Sequence, residues 1–143
     1  KAVEPDGVPY VTGALGLLVR TGTADDGTPF QVLEVPAPVG SDAAAGLLVS
    51  TDSGEITVRF DVYHARFGDW SGDAGALHLI RRIVMERVAV VSWWSGGRWC
   101  GSETLETGRQ PGMPSWAADQ GVDRIRVRSW RGALNADLDF LAP

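Results

Sequence analysis

Between Glu55 and Leu105 the chain changes its hydrophobic period twice, and that change constrains the fold more than any other feature. Glu55 to Val62 alternates strictly, with Ile56, Val58, Phe60 and Val62 on one face and polar residues on the other, the pattern of a half-buried strand. A 3.6-residue period follows. Ala76, Leu77, Leu79, Ile80, Ile83 and Val84 share one face of a helical wheel, and His78, Arg81, Arg82, Met85 and Glu86 share the other. The helix is expected from Asp73 to about Arg87, with Asp73 as N-cap, Asp69 near its positive end and Arg87 near its negative end. The strand period then returns over Val88 to Gly101, where Gly96-Gly97 fits a two-residue hairpin turn. That register sets Trp94 opposite Trp99, a pair worth about 0.5–1 kcal/mol, and turns Trp93 to the other face. One-sided strands and a one-sided helix bury their apolar faces together as an α+β fold, with an antiparallel sheet of about five to seven strands and one principal helix packed across it.

Turn signals order the remainder. The apolar runs Leu15 to Arg20 and Phe30 to Val35 flank Asp25-Asp-Gly-Thr-Pro29, where Gly27 can supply a positive φ. Pro36 and Pro38 end the second run, because proline donates nothing to a sheet ladder. Leu47 to Thr51 meets Glu55 across Asp52-Ser-Gly54 as a hairpin. Gly121 to Trp130 alternates again, with Ile125 and Val127 on one face and Arg124, Arg126, Arg128 and Trp130 on the other. That second face reads either as a solvated surface that discourages edge pairing, or as an arginine–aromatic surface for a carboxylate-bearing partner. Asn135 to Leu141 fits a helical turn or a strand, and Gly108 to Pro114 reads as a surface loop. With no repeat and no linker composition, residues 1–143 read as a single domain.

The 44% hydrophobic and 22% charged content is that of a globular protein. A single cysteine allows no internal disulfide and suits a reducing compartment. No apolar run approaches the roughly 20 residues of a membrane span. The polar start Lys1 to Gly7, without Met, reads as a trimmed end with no signal-peptide core, so a cytoplasmic location is expected. A net charge of -5 opposes binding to nucleic acid, which relies on Lys and Arg, and favours a basic partner.

The residues of catalysis are sparse. Cys100 with His64 or His78 is the minimum for thiol chemistry, but Cys100 sits in strand pattern, where it reads as a small hydrophobe. His64 reads as a hydrogen-bonded structural residue and His78 as a solvated one, and their separation does not match zinc-ligand spacing. No phosphate-loop or dinucleotide motif is present, and no cofactor is implied. Asp61 with Asp69, or Glu103 with Glu106, are the carboxylate pairs a glycosidase would need, but such pairs are common by chance in an acidic chain. The expectation is a protein that is not an enzyme. Two alternatives stand beside it: a small-ligand module or enzyme with a site near Tyr63, His64 and Trp94, and an assembly component using exposed tryptophans. Oligomeric state is not readable.

The succession Ile56-Thr-Val-Arg-Phe-Asp-Val-Tyr-His-Ala-Arg-Phe67, Ile80-Arg-Arg-Ile-Val-Met-Glu-Arg87, Val90-Val-Ser-Trp-Trp-Ser-Gly-Gly-Arg-Trp-Cys-Gly101 and Arg126-Val-Arg-Ser-Trp-Arg-Gly132 resembles small bacterial immunity proteins of polymorphic-toxin loci. The likeness covers roughly the second two-thirds of the chain, through overall pattern. It implies a cytosolic inhibitor of a cognate toxin domain and supplies no catalytic or contact residues. Charge and aromatic content place the expected toxin-binding surface at the carboxylates Asp25, Asp26, Asp69 and Glu103, with Trp93 as its anchor.

Overall fold

The alternating segments build ten strands, which divide between two antiparallel sheets in a computed structural model describing residues 10–12, 17–23, 25–52 and 54–140. The first sheet has the simple order β1 (Tyr10–Thr12), β2 (Leu17–Thr23), β3 (Pro29–Val35), β4 (Leu47–Asp52), β5 (Glu55–Phe60) and β6 (Tyr63–Phe67). The helix α1 (Ala76–Val84) follows. The second sheet has the order β10-β9-β7-β8, built from β7 (Val88–Ser95), β8 (Arg98–Glu106), β9 (Arg124–Arg128) and β10 (Ala136–Asp139), with a short helix α2 (Ser115–Asp119) between β8 and β9. Antiparallel pairing is as expected, but the strands form two sheets where one was expected. The chain packs as two compact units, one of Lys1–Ala37, Ala45–Phe60 and His64–Arg81, the other of Pro38–Ala44, Asp61–Tyr63 and Arg82–Pro143, so the division falls inside α1.

In the first unit the β3–β4–β5 register places Leu33 beside Val49 and Val49 beside Val58. Leu47, Val49, Ile56, Val58 and Phe60 are buried along that face. The β2–β3 turn has Gly27 at φ 85°, and the β4–β5 hairpin has Gly54 at φ 78°, as the turn chemistry requires. The alternation of β5 stops at Phe60, short of Val62, because Asp61 takes φ 55° and turns the chain. Part of the predicted run Leu15 to Arg20 lies outside the described residues; β2 takes up the rest.

The principal helix is shorter than expected and is not capped by Asp73. The N–H groups of Ala76 and Leu77 donate to the carbonyls of Asp69 and Trp70 at 3.0 and 2.9 Å. The incoming loop therefore satisfies the first orphan donors with its own backbone, and the helix starts three residues later than Asp73. At the other end Glu86 takes the left-handed conformation, φ 53°, while the Arg87 N–H donates to the Arg82 carbonyl at 2.8 Å.

The second unit is organised around β7, which is buried from Val88 to Trp93. Gly96 and Gly97, at φ 55° and 82°, form the expected turn, and Trp94 pairs with Trp99. The register slips one step later, because Trp93 pairs with Gly101 and leaves Cys100 as the extra residue of a bulge. Ala89, Val91, Trp93, Ala117, Val122, Ile125 and Val127 form the core there. Loops close it through buried polar groups. The Ser41 hydroxyl donates to the Ser129 carbonyl at 2.9 Å, the Ser129 hydroxyl donates to the Glu86 carboxylate, and the Asn135 amide donates to the Ser41 carbonyl at 2.7 Å. Asn135 to Leu141 resolves as strand over its described part, since β10 pairs with β9. No helix among the described residues is long and apolar enough to cross a membrane.

Candidate functional site

A helix about 10 Å across covers roughly two strands spaced about 4.8 Å apart, so one short helix leaves part of a six-stranded sheet uncovered. Beside the helix lies a recess of about 330 Å³ in the first unit, lined by Leu33 and the buried Leu47 and Val49 on the sheet side and by Trp70, Leu77 and Ile80 on the other. Trp70 is 44% exposed and Leu77 38%, which is unusual for large apolar side chains beside such a surface. Gln31 and Thr51 close one end, where the Gln31 N–H donates to the Thr51 hydroxyl at 3.2 Å.

That end is acidic. Pairing of Phe30 with Asp52 and of Thr23 with Pro29 sets the β2–β3 and β4–β5 turns at the same edge of the sheet. Asp25, Asp26, Asp52 and Glu55 are all exposed there, and exposed Asp69 directly precedes Trp70. Asp26 is fixed in its turn: its carboxylate accepts the Thr28 N–H at 3.0 Å, and the Thr28 side chain and backbone together hold it below the usual carboxylate range. The first unit carries nine acidic and five basic residues, the second nine and eight, so the excess negative charge belongs mainly to the first.

Of the predicted partner-binding residues, Asp25, Asp26 and Asp69 are exposed in this unit. Glu103 is exposed on β8 in the second unit, where its charge, after burial, helps push the Tyr63 hydroxyl upward. Trp93 is corrected. It is 3% exposed, its indole N–H donates to the Gly112 carbonyl at 3.0 Å, and its ring meets Trp116 edge-on with centroids 5.4 Å apart. The hairpin does turn it away from Trp94, but α2 covers that face. Gly101 opposite makes this possible, because a Cβ there would lie 2.7 Å from the Trp116 ring. The glycine inside the β8 pattern was the available signal, marking a close approach of another group. Two tryptophans are exposed, Trp99 on the hairpin and Trp70, which follows Asp69 in the loop before α1.

The arginine face of β9 is also corrected in part. Arg128 is buried and internally committed, gripping Asp137 with two hydrogen bonds of 3.0 and 3.2 Å and donating to the Asp42 carbonyl at 3.2 Å. Trp130 is buried. Only Arg124 and Arg126 remain at the surface, beside Trp94 and Phe140.

The catalytic candidates are placed separately. Cys100 packs against the second core, with its thiol 3.6 Å from the Arg98 carbonyl. His64 and His78 are exposed. Asp61 is buried and accepts the Ala44 N–H at 2.7 Å, while Glu106 binds Arg82 at 2.8 Å. Of the residues of the alternative site, Trp94 lines a recess with β9 and β10 residues, and His64 belongs to the first unit. Among the described residues no group of three or more His, Cys, Asp or Glu is placed to hold a metal ion. No protein-family model, curated protein or solved structure matches this chain.

Proposed function

We infer that the protein acts by binding, as a cytoplasmic immunity protein that neutralises a basic toxin domain, and that the first unit carries the contact surface. The observation that supports this reading is the apolar recess walled by half-exposed Trp70, in the same unit as the exposed carboxylates Asp25, Asp26 and Asp69. Interfaces with this division of labour use charge to steer encounter and a desolvated aromatic to hold the complex. The matching partner presents an aliphatic or aromatic side chain flanked by Lys or Arg. Occlusion of the toxin's active site is the expected mode of inhibition, and the protein needs no turnover of its own. Trp70 takes the anchor role first given to Trp93, because a buried, hydrogen-bonded ring is already committed to the fold.

The test is co-expression with the product encoded immediately upstream, read by co-purification and by rescue of growth. Trp70→Ala should weaken the complex by about thirtyfold or more, mainly through faster dissociation. Substituting His64 or Cys100 by Ala should leave rescue intact. Absence of both binding and rescue for that neighbour would overturn the reading.

A further inference from the structure

The second unit holds a different kind of recess, about 580 Å³ in volume, within the range of small-molecule sites. Its apolar walls are the Trp94 ring and the 44%-exposed Phe140. Its polar lining is Asp123, Asp139, Arg124 and Arg126, all hydrogen-bonded to one another or to backbone. Both Asp123 oxygens accept the Gly96 N–H, at 3.3 and 3.2 Å. Asp139 accepts from the Arg124 Nε at 2.7 Å. Arg126 differs: it donates to the neutral Asp42 carbonyl at 3.0 Å, while its buried Nε has no acceptor. A guanidinium that meets a carbonyl and leaves a buried donor unmatched is the group in this recess best suited to an incoming anion.

The Trp94 ring and the Phe140 backbone are held as well. The Trp94 indole N–H donates to the Ser92 hydroxyl at 2.8 Å, and the Phe140 N–H donates to the Asp123 carbonyl at 2.7 Å. We propose that this recess is a binding site for a small aromatic carboxylate, whose ring lies against Trp94 and Phe140 and whose carboxylate pairs with Arg126. The two aromatic walls select a planar apolar body, and Arg126 selects a carboxylate over the neutral amide of the same shape. The site shares no residue with the proposed contact surface.

The experiment titrates the purified full chain with phenylacetate, phenylacetamide and inorganic phosphate, following the Trp94 indole N–H and Arg126 Nε–H by NMR. Phenylacetate should give a saturable shift at millimolar concentration or below, and the amide and phosphate should bind at least about tenfold more weakly. Arg126→Gln should weaken phenylacetate about tenfold, Phe140→Ala several-fold, and Trp70→Ala not at all. Phe140 is exposed, so its variant reads the site even if Arg126→Gln perturbs the fold. Absence of a saturable phenylacetate shift, equal binding of amide or phosphate, or indifference to Phe140→Ala would each overturn the proposal.

Discussion

The two sheets solve the same burial problem in opposite ways. The four-stranded sheet closes its core with a second tryptophan, Trp116, a bulge and a glycine, and balances nine carboxylates against eight arginines. The six-stranded sheet keeps an apolar recess partly open and carries the larger excess of negative charge. A protein under selection for stability alone gains from covering such a recess, since each Å² of apolar surface removed from water contributes about 25 cal/mol. An apolar recess left partly open in the unit with the larger negative excess is the pattern of a surface kept for a partner.

The sharpest way to break that comparison is to truncate one tryptophan in each region. Trp93→Ala empties the second core and abandons Gly112, so it should cost about 3–5 kcal/mol in chemical denaturation. Trp70→Ala removes a half-exposed ring and should cost about 1 kcal/mol or less. Equal losses would mean that Trp70 is as much a core residue as Trp93.

Gly101→Ala sharpens the account of the closed region. The new methyl must displace the Trp116 ring from 2.7 Å, and overpacking of this kind costs about 1–3 kcal/mol. The substitution should also broaden or shift the Trp93 indole N–H resonance, because Trp116 and Trp93 are packed edge to face. An unperturbed, fully stable Gly101→Ala variant would contradict the packing described.

Much of this architecture is legible in the chain. The hairpins at Asp25–Pro29, Asp52–Gly54 and Gly96–Gly97 follow from local turn chemistry, and the Trp94–Trp99 register follows from the last of them. The distribution of strands between two sheets is not local, and no residue pattern announces it. The fate of Trp93 depended on α2, a five-residue helix too short to show a period. Trp70 sits in a loop whose backbone caps α1, a role carried by carbonyls and therefore invisible in side-chain identity. Arg128 illustrates the same limit: alternation gives its face, but only the pairing of β9 with β10 supplies Asp137.

Charge offers a gentler test of the asymmetry. Reversing Asp25 and Asp26 to Lys should slow association with a basic toxin domain about tenfold at low ionic strength and flatten its salt dependence. Arg126→Gln in the other unit should leave both unchanged. A similar response to the two changes would remove the assignment of steering to the acidic edge.

The smallest effect expected is in acid titration, where among the described residues Asp26 in one region and Asp139 in the other are exposed carboxylates held below the usual 3.8. Asp26 is held there mainly by the Thr28 side chain and then by the Thr28 N–H; Asp139 is held by its hydrogen bond to Arg124. A carboxylate whose folded pKa is depressed favours the folded state above its unfolded pKa. That contribution fades as pH falls from about 4 through the lower folded value. Both groups are fully solvent-exposed, so the changes should be visible in side-chain NMR titrations rather than as a large loss of stability. Thr28→Val should return Asp26 toward the ordinary range and leave Asp139 low, and Arg124→Gln should do the reverse. Because Asp26 belongs to the turn at the acidic edge, its titration also reports whether that edge remains negative at the pH where binding is measured. If Thr28→Val left Asp26 unmoved, the turn would not be ordered by its carboxylate, and the acidic edge would lose its fixed geometry.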